Sequence, residues 1–327
     1  MTKPYILFYT FDDHGFATMK PVFDLFGKDP EFDVTLLLAV NKYPKLRLGF
    51  HVTKEVRLGL QGTTFEMDTI SVERKPSVII GFRMWWPPDS HVCSSNPAKG
   101  IPMVMINHGS MFVYNEDQAY KKNLGGARVN CIWGEHDRKL WRKWNKNKKQ
   151  FVVTGNPIHD QLVDYKCPDI DVSGDFALLL TSRWQRKYLD PSAEALNQIM
   201  PVVAKCHPID PDKRYYKERY RTFTSTESLV PLIYKAKLII TNVSSALQPA
   251  LFFGKPIFIH SYAMQGYHFG EFEKEFPHVF NFKRDAIWSS EMIEDAVRPT
   301  LKDYEYFGHK PDGKNAQRVM DVIKRYV

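Results

Sequence analysis

Residues 237–260 read KLIITNVSSALQPALFFGKPIFIH, and this stretch decides the fold. Leu238–Thr241 (LIIT) is a short apolar run of the buried parallel-strand type, and Pro256–His260 (PIFIH) is a second. Between them, Asn242-Val243-Ser244-Ser245 stands where a helix begins. Hydroxyls and free backbone N–H groups at a positive helix end favour a phosphate. The stretch therefore reads as strand, polar turn, helix and strand, with an anion site at the turn.

Working outward, strand-like runs recur with helix-length spacers. Tyr5–Thr10 (YILFYT) precedes the polar turn Asp12-Asp13-His14-Gly15, and a helix is expected over about 16–27. Asp33–Val40, Ser77–Gly81, Pro102–Ile106, Asn130–Trp133 and Phe151–Thr154 are the next strands, while 41–76 show no clear period. After Gly155-Asn156-Pro157 and the polar segment 165–175, a new series opens with Phe176–Thr181 and continues through Val202–Lys205. A final helix pattern covers about Asn315 to Tyr326. This alternation argues for parallel sheets covered by helices. The expected fold class is α/β, with two Rossmann-like domains facing across a cleft. Residues 1–165 form the first and 166–327 the second, with the last helix free to pack back on the first. No G-x-G-x-x-G fingerprint occurs, which argues against a standard NAD enzyme.

The 327 residues are 43% hydrophobic and 25% charged, the range of a soluble globular protein. No apolar run approaches the roughly 20 residues of a transmembrane helix. The start lacks the long apolar region of a secretion signal. The four cysteines lie far apart without a C-x-x-C pair, which fits reduced thiols and a cytoplasmic location. The net charge is +8, and residues 121–150, with ten Lys/Arg against two Asp/Glu, hold an excess of the same size. Lys139, Arg142, Lys143, Lys146, Lys148 and Lys149 lie there, with Trp133, Trp141 and Trp144 interleaved. A basic segment with aromatics suits an anionic polymer, nucleic acid included, or a lipid surface; a solvated helix face is the other reading.

In doubly wound sheets ligands bind at the carboxyl ends of strands. Polar clusters fall at five such ends: Asp12, Asp13 and His14; Asn107, His108, Gly109 and Ser110; Ser182, Arg183, Arg186 and Lys187; His207; and Asn242, Ser244 and Ser245. Arg183, Lys205, His207, Ser244 and Ser245 supply the cations and hydroxyls a diphosphate needs when it loses hydration. Asp12, Asp13, His14 and His108 supply acid–base candidates, and a histidine can accept a proton from a hydroxyl near neutral pH. A donor half and an acceptor half describe a group transferase.

The motif order resembles that of GT-B glycosyltransferases, and within that fold CDP-glycerol glycerophosphotransferase-like proteins. Asn107-His108-Gly109-Ser110 is similar to their His-Gly-Thr/Ser element, and Gly155-Asn156-Pro157-Ile158-His159-Asp160 to their Gly-x-Pro-x-x-Asp element. Thr181-Ser182-Arg183, Lys205-Cys206-His207-Pro208 and Thr241-Asn242-Val243-Ser244-Ser245 with Lys255-Pro256 follow in the same order. The resemblance covers roughly 100–260. It implies donor-phosphate contacts for His207, Ser244 and Ser245, and a base or phosphate ligand in His108. Asn242 stands where an aspartate is usual, and Gln248 stands near the place of a ribose-binding carboxylate.

The expectation is a glycosyltransferase that needs neither metal nor cofactor. It moves a sugar from a nucleoside-diphosphate donor to a hydroxyl of an anionic polymer, with hydroxylated-base DNA as one candidate acceptor. Asn242 and Gln248 would meet the nucleotide and its ribose. The D-x-D pairs at Asp169–Asp171 and Asp210–Asp212 read as loop composition rather than metal sites. A glycerophosphotransferase of teichoic-like polymer synthesis, a UDP-sugar 2-epimerase and a non-catalytic polyanion-binding protein are the alternatives. DNA as the acceptor, rather than a teichoic-type polymer, predicts DNA binding that weakens steeply with salt. A gel-shift titration should lose it when Lys146, Lys148 and Lys149 are changed to Gln.

Overall fold

The computed structural model describes residues 2–10, 13–40, 55–59, 75–82, 101–107, 127–144, 150–181, 186–207, 210–224, 229–241, 246–260, 269–283 and 285–327. Among these residues seven strands form one sheet: β1 (Tyr5–Thr10), β2 (Asp33–Val40), β3 (Glu55–Gly59), β4 (Val78–Phe82), β5 (Met103–Ile106), β6 (Val129–Ile132) and β7 (Gln150–Val153). Six form another: β8 (Ala177–Leu180), β9 (Val202–Lys205), β10 (Arg221–Phe223), β11 (Leu238–Thr241), β12 (Ile257–His260) and β13 (Asn281–Lys283). The helices are α1 (Asp13–Gly27), α2 (Glu135–Trp144), α3 (Arg186–Leu196), α4 (Lys213–Arg219), α5 (Leu229–Lys235), α6 (Leu247–Phe252), α7 (Phe269–Glu275), α8 (Ser290–Glu294), α9 (Leu301–Gly308) and α10 (Asn315–Ile323).

The first sheet runs β3-β2-β1-β4-β5-β6-β7 and the second β10-β9-β8-β11-β12-β13. Every pairing is parallel. Both sheets are doubly wound: the chain steps outward one way, returns, and steps outward the other way. The reversal lies between β1 and β4 in the first sheet and between β8 and β11 in the second. The α/β class and the two Rossmann-like sheets expected from the sequence are thus the observed architecture. Strands β4, β5, β6, β8, β9, β11 and β12 are buried at every position. That is why they read as continuous apolar runs rather than alternating ones.

Three strands carried no sequence signal. β3 lies within 41–76, where no period shows. β10 and β13 are three-residue strands at the two edges of the second sheet. Arg221-Thr222-Phe223 and Asn281-Phe282-Lys283 are half-polar, because an edge strand is flanked on one side only.

The chain divides into two compact units, and among the described residues the first holds those up to Val163 and again from Phe307, while the second holds 164–306. In the first unit, Phe16, Met19, Phe23 and Phe26 of α1 and Val319 and Ile323 of α10 pack on Ile6, Phe8, Ile80 and Val104. Each such buried side chain contributes roughly 1.5–3 kcal/mol. In the second unit, Leu189, Ala193 and Leu196 of α3, Tyr216 of α4 and Ile293 of α8 pack on Leu179, Ala204 and Ile240. No helix among the described residues is long and apolar enough to cross a membrane.

The last helix is held by Gly155-Asn156-Pro157-Ile158-His159-Asp160. Asn156 caps the short 3-10 turn Pro157–Leu162 through Ile158 N, and Pro157 starts it. That turn aims the Asp160 carboxylate at the start of α10, where Oδ1 accepts from Asn315 N and Oδ2 from Ala316 N, each at 2.8 Å. Asn315 Nδ2 in turn donates to Asn156 O at 3.2 Å. Gly155 has φ +81°, and a Cβ there would lie 2.0 Å from Asn315 Oδ1.

Two predictions follow from this contact and its surroundings. Gly155→Ala forces a left-handed alanine and displaces Asn315, so urea unfolding should show a loss of about 2 kcal/mol. His309, just before α10, has φ +70° and its imidazole is pushed down to about 4, first by burial and then by Arg318 and Lys310. A depressed histidine stabilises the fold above its ordinary value and loses that contribution as pH falls towards the folded value. Between pH 7 and 4.5 the native chain should therefore lose about 2 kcal/mol more than His309→Asn, which tolerates the same backbone and does not titrate.

Candidate functional site

The carboxyl edge of the second sheet carries, side by side, the ends of β9, β8 and β11, and so spans the reversal of strand order. Leu180 is in register with Lys205, and Thr241 with Ile259. Thr181, Lys205 and His207 are therefore brought together on neighbouring strand ends.

Lys205 is the unusual member. Its side chain is buried, with 5% exposure, and Nζ donates to Cys206 O at 2.9 Å. Among the described residues it makes no ion pair. Burial pushes its ammonium pKa down, Cys206 opposes this and nearby Lys213 adds to it. The other buried lysine among the described residues, Lys283, behaves differently: its Nζ pairs with Asp285 Oδ1 at 2.9 Å. A buried ammonium without a carboxylate costs several kcal/mol unless an anion joins it.

His207 is exposed, and its backbone N donates to Thr181 Oγ1 at 3.4 Å. The Thr181 hydroxyl donates to Asp210 Oδ2. Gln248 is fully buried in the first turn of α6. Arg183, Asn242, Ser244 and Ser245 lie outside the described residues. Thr181 and Asp210 received no role from the sequence. Thr181 was visible inside the Thr-x-Arg element, but its partner is 29 positions away and only the fold joins them.

In the first unit, α1 begins at the carboxyl end of β1, and Asp13 and His14 open that helix. Gly15 makes this possible. A Cβ there would meet Thr10 Oγ1 at 2.1 Å and Phe82 Cδ1 at 2.5 Å, so the helix start presses on the ends of β1 and β4. Asp12 and His108 lie outside the described residues. Asn107, directly before His108, is buried, and neither polar atom of its side chain has a partner among the described residues. Its carbonyl accepts from Trp133 Nε1 at 3.1 Å.

The basic segment divides on α2. Lys139 and Arg142 are exposed, and Arg138 pairs with Glu135 at 2.7 Å. Trp133 and Trp141 are buried instead, Trp141 stacked on Phe151 at 5.4 Å. The expectation that these two rings serve a polyanion is corrected: helical spacing sets Asp137 and Trp141 on the inward face. Lys143 also lies in α2, while Lys146, Lys148 and Lys149 lie outside the described residues. Asp169 pairs with Lys235 at 3.6 Å, Asp171 with Arg221 and Asp212 with Arg186 at 3.1 Å. Among the described residues no three His, Cys, Asp or Glu side chains converge as a metal site requires.

No family model matches the chain, and no curated protein matches it. Solved structures do. A putative UDP-N-acetylglucosamine 2-epimerase from Listeria monocytogenes superposes with TM-score 0.67 at 14% identity, over 99% of this chain and 97% of that one. The UDP-GlcNAc 2-epimerase of Methanocaldococcus jannaschii, in complex with UDP-GlcNAc and UDP, gives 0.62 at 13%, over 99% and 100%. A variant of the wall teichoic acid polymerase TagF gives 0.61 at 12%, over 99% and 88%. The likeness establishes the fold, two doubly wound sheets of the GT-B kind.

Proposed function

We propose that the chain is a nucleotide-sugar enzyme that binds the donor diphosphate at the carboxyl edge of its second sheet and transfers the glycosyl unit to a hydroxyl. The buried ammonium of Lys205, which meets no carboxylate among the described residues, carries this reading. It stands beside the strand-order reversal, where doubly wound sheets bind their ligands. Arg183, His207 and the Ser244-Ser245 turn add donors to the same diphosphate, and Asn242 and Gln248 serve the nucleotide. The acceptor oxygen forms a bond to the anomeric carbon as the bond to the diphosphate oxygen breaks. His108, or one of Asp12, Asp13 and His14, takes the hydroxyl proton. The cations stabilise the leaving diphosphate, an electrostatic contribution that replaces a divalent ion. Exposed Lys139 and Arg142, with Lys143, Lys146, Lys148 and Lys149, favour an anionic polymer as acceptor, and hydroxylated-base DNA is the acceptor to assay first.

Epimerisation of a UDP-sugar at C2 is the second reading. Two of the structures named above are UDP-sugar 2-epimerases, and nearly their whole length is matched. Gln248-Pro249 offers no carboxylate in the first turn of α6, which favours transfer. Glycerophosphate transfer, as the likeness to a teichoic acid polymerase allows, is the third.

Incubation with UDP-GlcNAc, UDP-glucose or CDP-glycerol separates the three by product. Acceptor-dependent release of UDP supports transfer. A new sugar epimer without net loss of the nucleotide sugar supports epimerisation, and CMP supports the third. Activity should survive EDTA; its loss, restored by manganese, would overturn the metal-free step. Lys205→Met keeps the volume and removes the charge. It should lower kcat/KM by about 10- to 100-fold while the unfolding midpoint holds or rises.

A further inference from the structure

The face of the first sheet away from α1 and α10 holds a group of buried polar atoms. Val104, Ile106, Val129 and Cys131 face those two helices, so strand alternation turns Met105, Asn107, Asn130 and Ile132 to the other side. The ladder runs on past β5, since the Asn107 N–H donates to Cys131 O at 3.0 Å. On that side Gly81, Met105, Asn130 and Phe151 form one row across β4, β5, β6 and β7. A Cβ at Gly81 would lie 2.4 Å from Met105 Sδ, so the methionine leans over β4, away from Asn130. Trp141 of α2 stacks at 5.4 Å on Phe151, the residue in register with Asn130. Asn107, Asn130 and Trp141 are each no more than 1% exposed. Oδ1 and Nδ2 of both asparagines and Nε1 of Trp141 have no hydrogen-bond partner among the described residues.

We propose that Asn107, Asn130 and Trp141 line an internal site that takes the hydroxyl groups of an uncharged ligand. The site belongs to the first unit and stands apart from the nucleotide reading. A buried polar atom left unmet costs the desolvation of that group, and these five together would cancel a large share of a domain's stability. Native folds meet such atoms with protein, water or ligand. The two amide oxygens accept, while the two amide nitrogens and the indole nitrogen donate. The matching group must therefore do both, as a hydroxyl does. A phosphate or sulfate would be opposed by the two oxygens, and by Asp137, buried one turn before Trp141. An ammonium would be opposed by the three nitrogens. Trapped water and a sugar both present the required chemistry, and a buried water makes about three bonds to groups of this kind.

Two measurements test the site, each with and without glucose as the sugar probe. In the isotope-labelled chain, protons on Trp141 Nε1 and Asn130 Nδ2 should show a nuclear Overhauser effect to long-lived water or to glucose. Asn130→Leu keeps the approximate volume and removes both amide atoms. It should lower the urea midpoint of unfolding by about half a molar, because the bound hydroxyl loses its partners. Effects that glucose leaves unchanged assign the hydroxyls to trapped water. An Overhauser effect to glucose, with a midpoint that glucose raises in the native chain and not in Asn130→Leu, assigns them to a sugar. General cosolute stabilisation moves both chains alike, and sulfate should do only that. Three results overturn the site: no Overhauser effect to water or glucose at either donor, an Asn130→Leu midpoint at or above the native one, or a sulfate-induced rise confined to the native chain. If Asn130→Leu does not fold, the Overhauser effect decides alone.

Discussion

The first unit depends on the carboxylate of Asp160. A parallel sheet must be covered on both faces, and α10, from the far end of the sequence, supplies half of one cover. A helix that starts against a core exposes N–H groups that need partners there. Asp160 satisfies the first two of α10, and Asn315 answers through its side chain to Asn156 O. A glycine at 155 is what lets the two segments approach so closely. Burial first, and Asp312 with it, push the Asp160 pKa above the usual carboxylate value, while the two N–H groups and Arg318 act against this. The two hydrogen bonds fix the chain's return to the first unit at that point.

Much of this was legible because parallel strands announce themselves. Runs such as LIIT, VVAK and IFIH are buried at every position and apolar in all but their last residue, as strands inside a covered parallel sheet require. Edge strands lack that requirement, and β3, β10 and β13 went unread. The Gly155–Asp160 element was legible only as a motif. Its role as a holder of α10 needs a partner 155 positions away, and no local pattern encodes that distance. Trp133 and Trp141 misled for a related reason. They stand among lysines in sequence, but Trp133 directly follows the buried strand β6, and on α2 the three- to four-residue spacing of a helix face sets Trp141 inward with Asp137 while Lys139 and Arg142 are exposed.

At the second sheet, the strand-end positions of Lys205 and His207 were readable, but the state of Lys205 was not. A lysine in a Lys-x-His-Pro element says nothing of its exposure. Burial arises because Val203 and Lys205 share the face opposite the layer of Ala204 and Leu179, so the side chain leaves the strand into protein rather than water. Lys283 shows the ordinary solution to that problem, an aspartate two residues on. Lys205 has no such neighbour, and Asp210, the acid nearest in sequence, is spent on Thr181 and the Asp212 N–H. That carboxylate is engaged elsewhere, and among the described residues no other acid pairs with the ammonium.

This division of labour bears on the choice between transfer and epimerisation. Any enzyme that breaks the bond between an anomeric carbon and a diphosphate must stabilise the same leaving group, whatever happens next to the sugar. A cationic edge on the second sheet therefore serves both reactions equally, and likeness in that unit cannot separate them. The distinction belongs to the groups that handle protons. On α6, Gln248 and Pro249 offer hydrogen bonds or none, but no base. The acid–base candidates all lie on the first unit, at the ends of β1 and β5. A carboxylate or an imidazole among them can take the proton of an incoming hydroxyl, which is the reason transfer stands first.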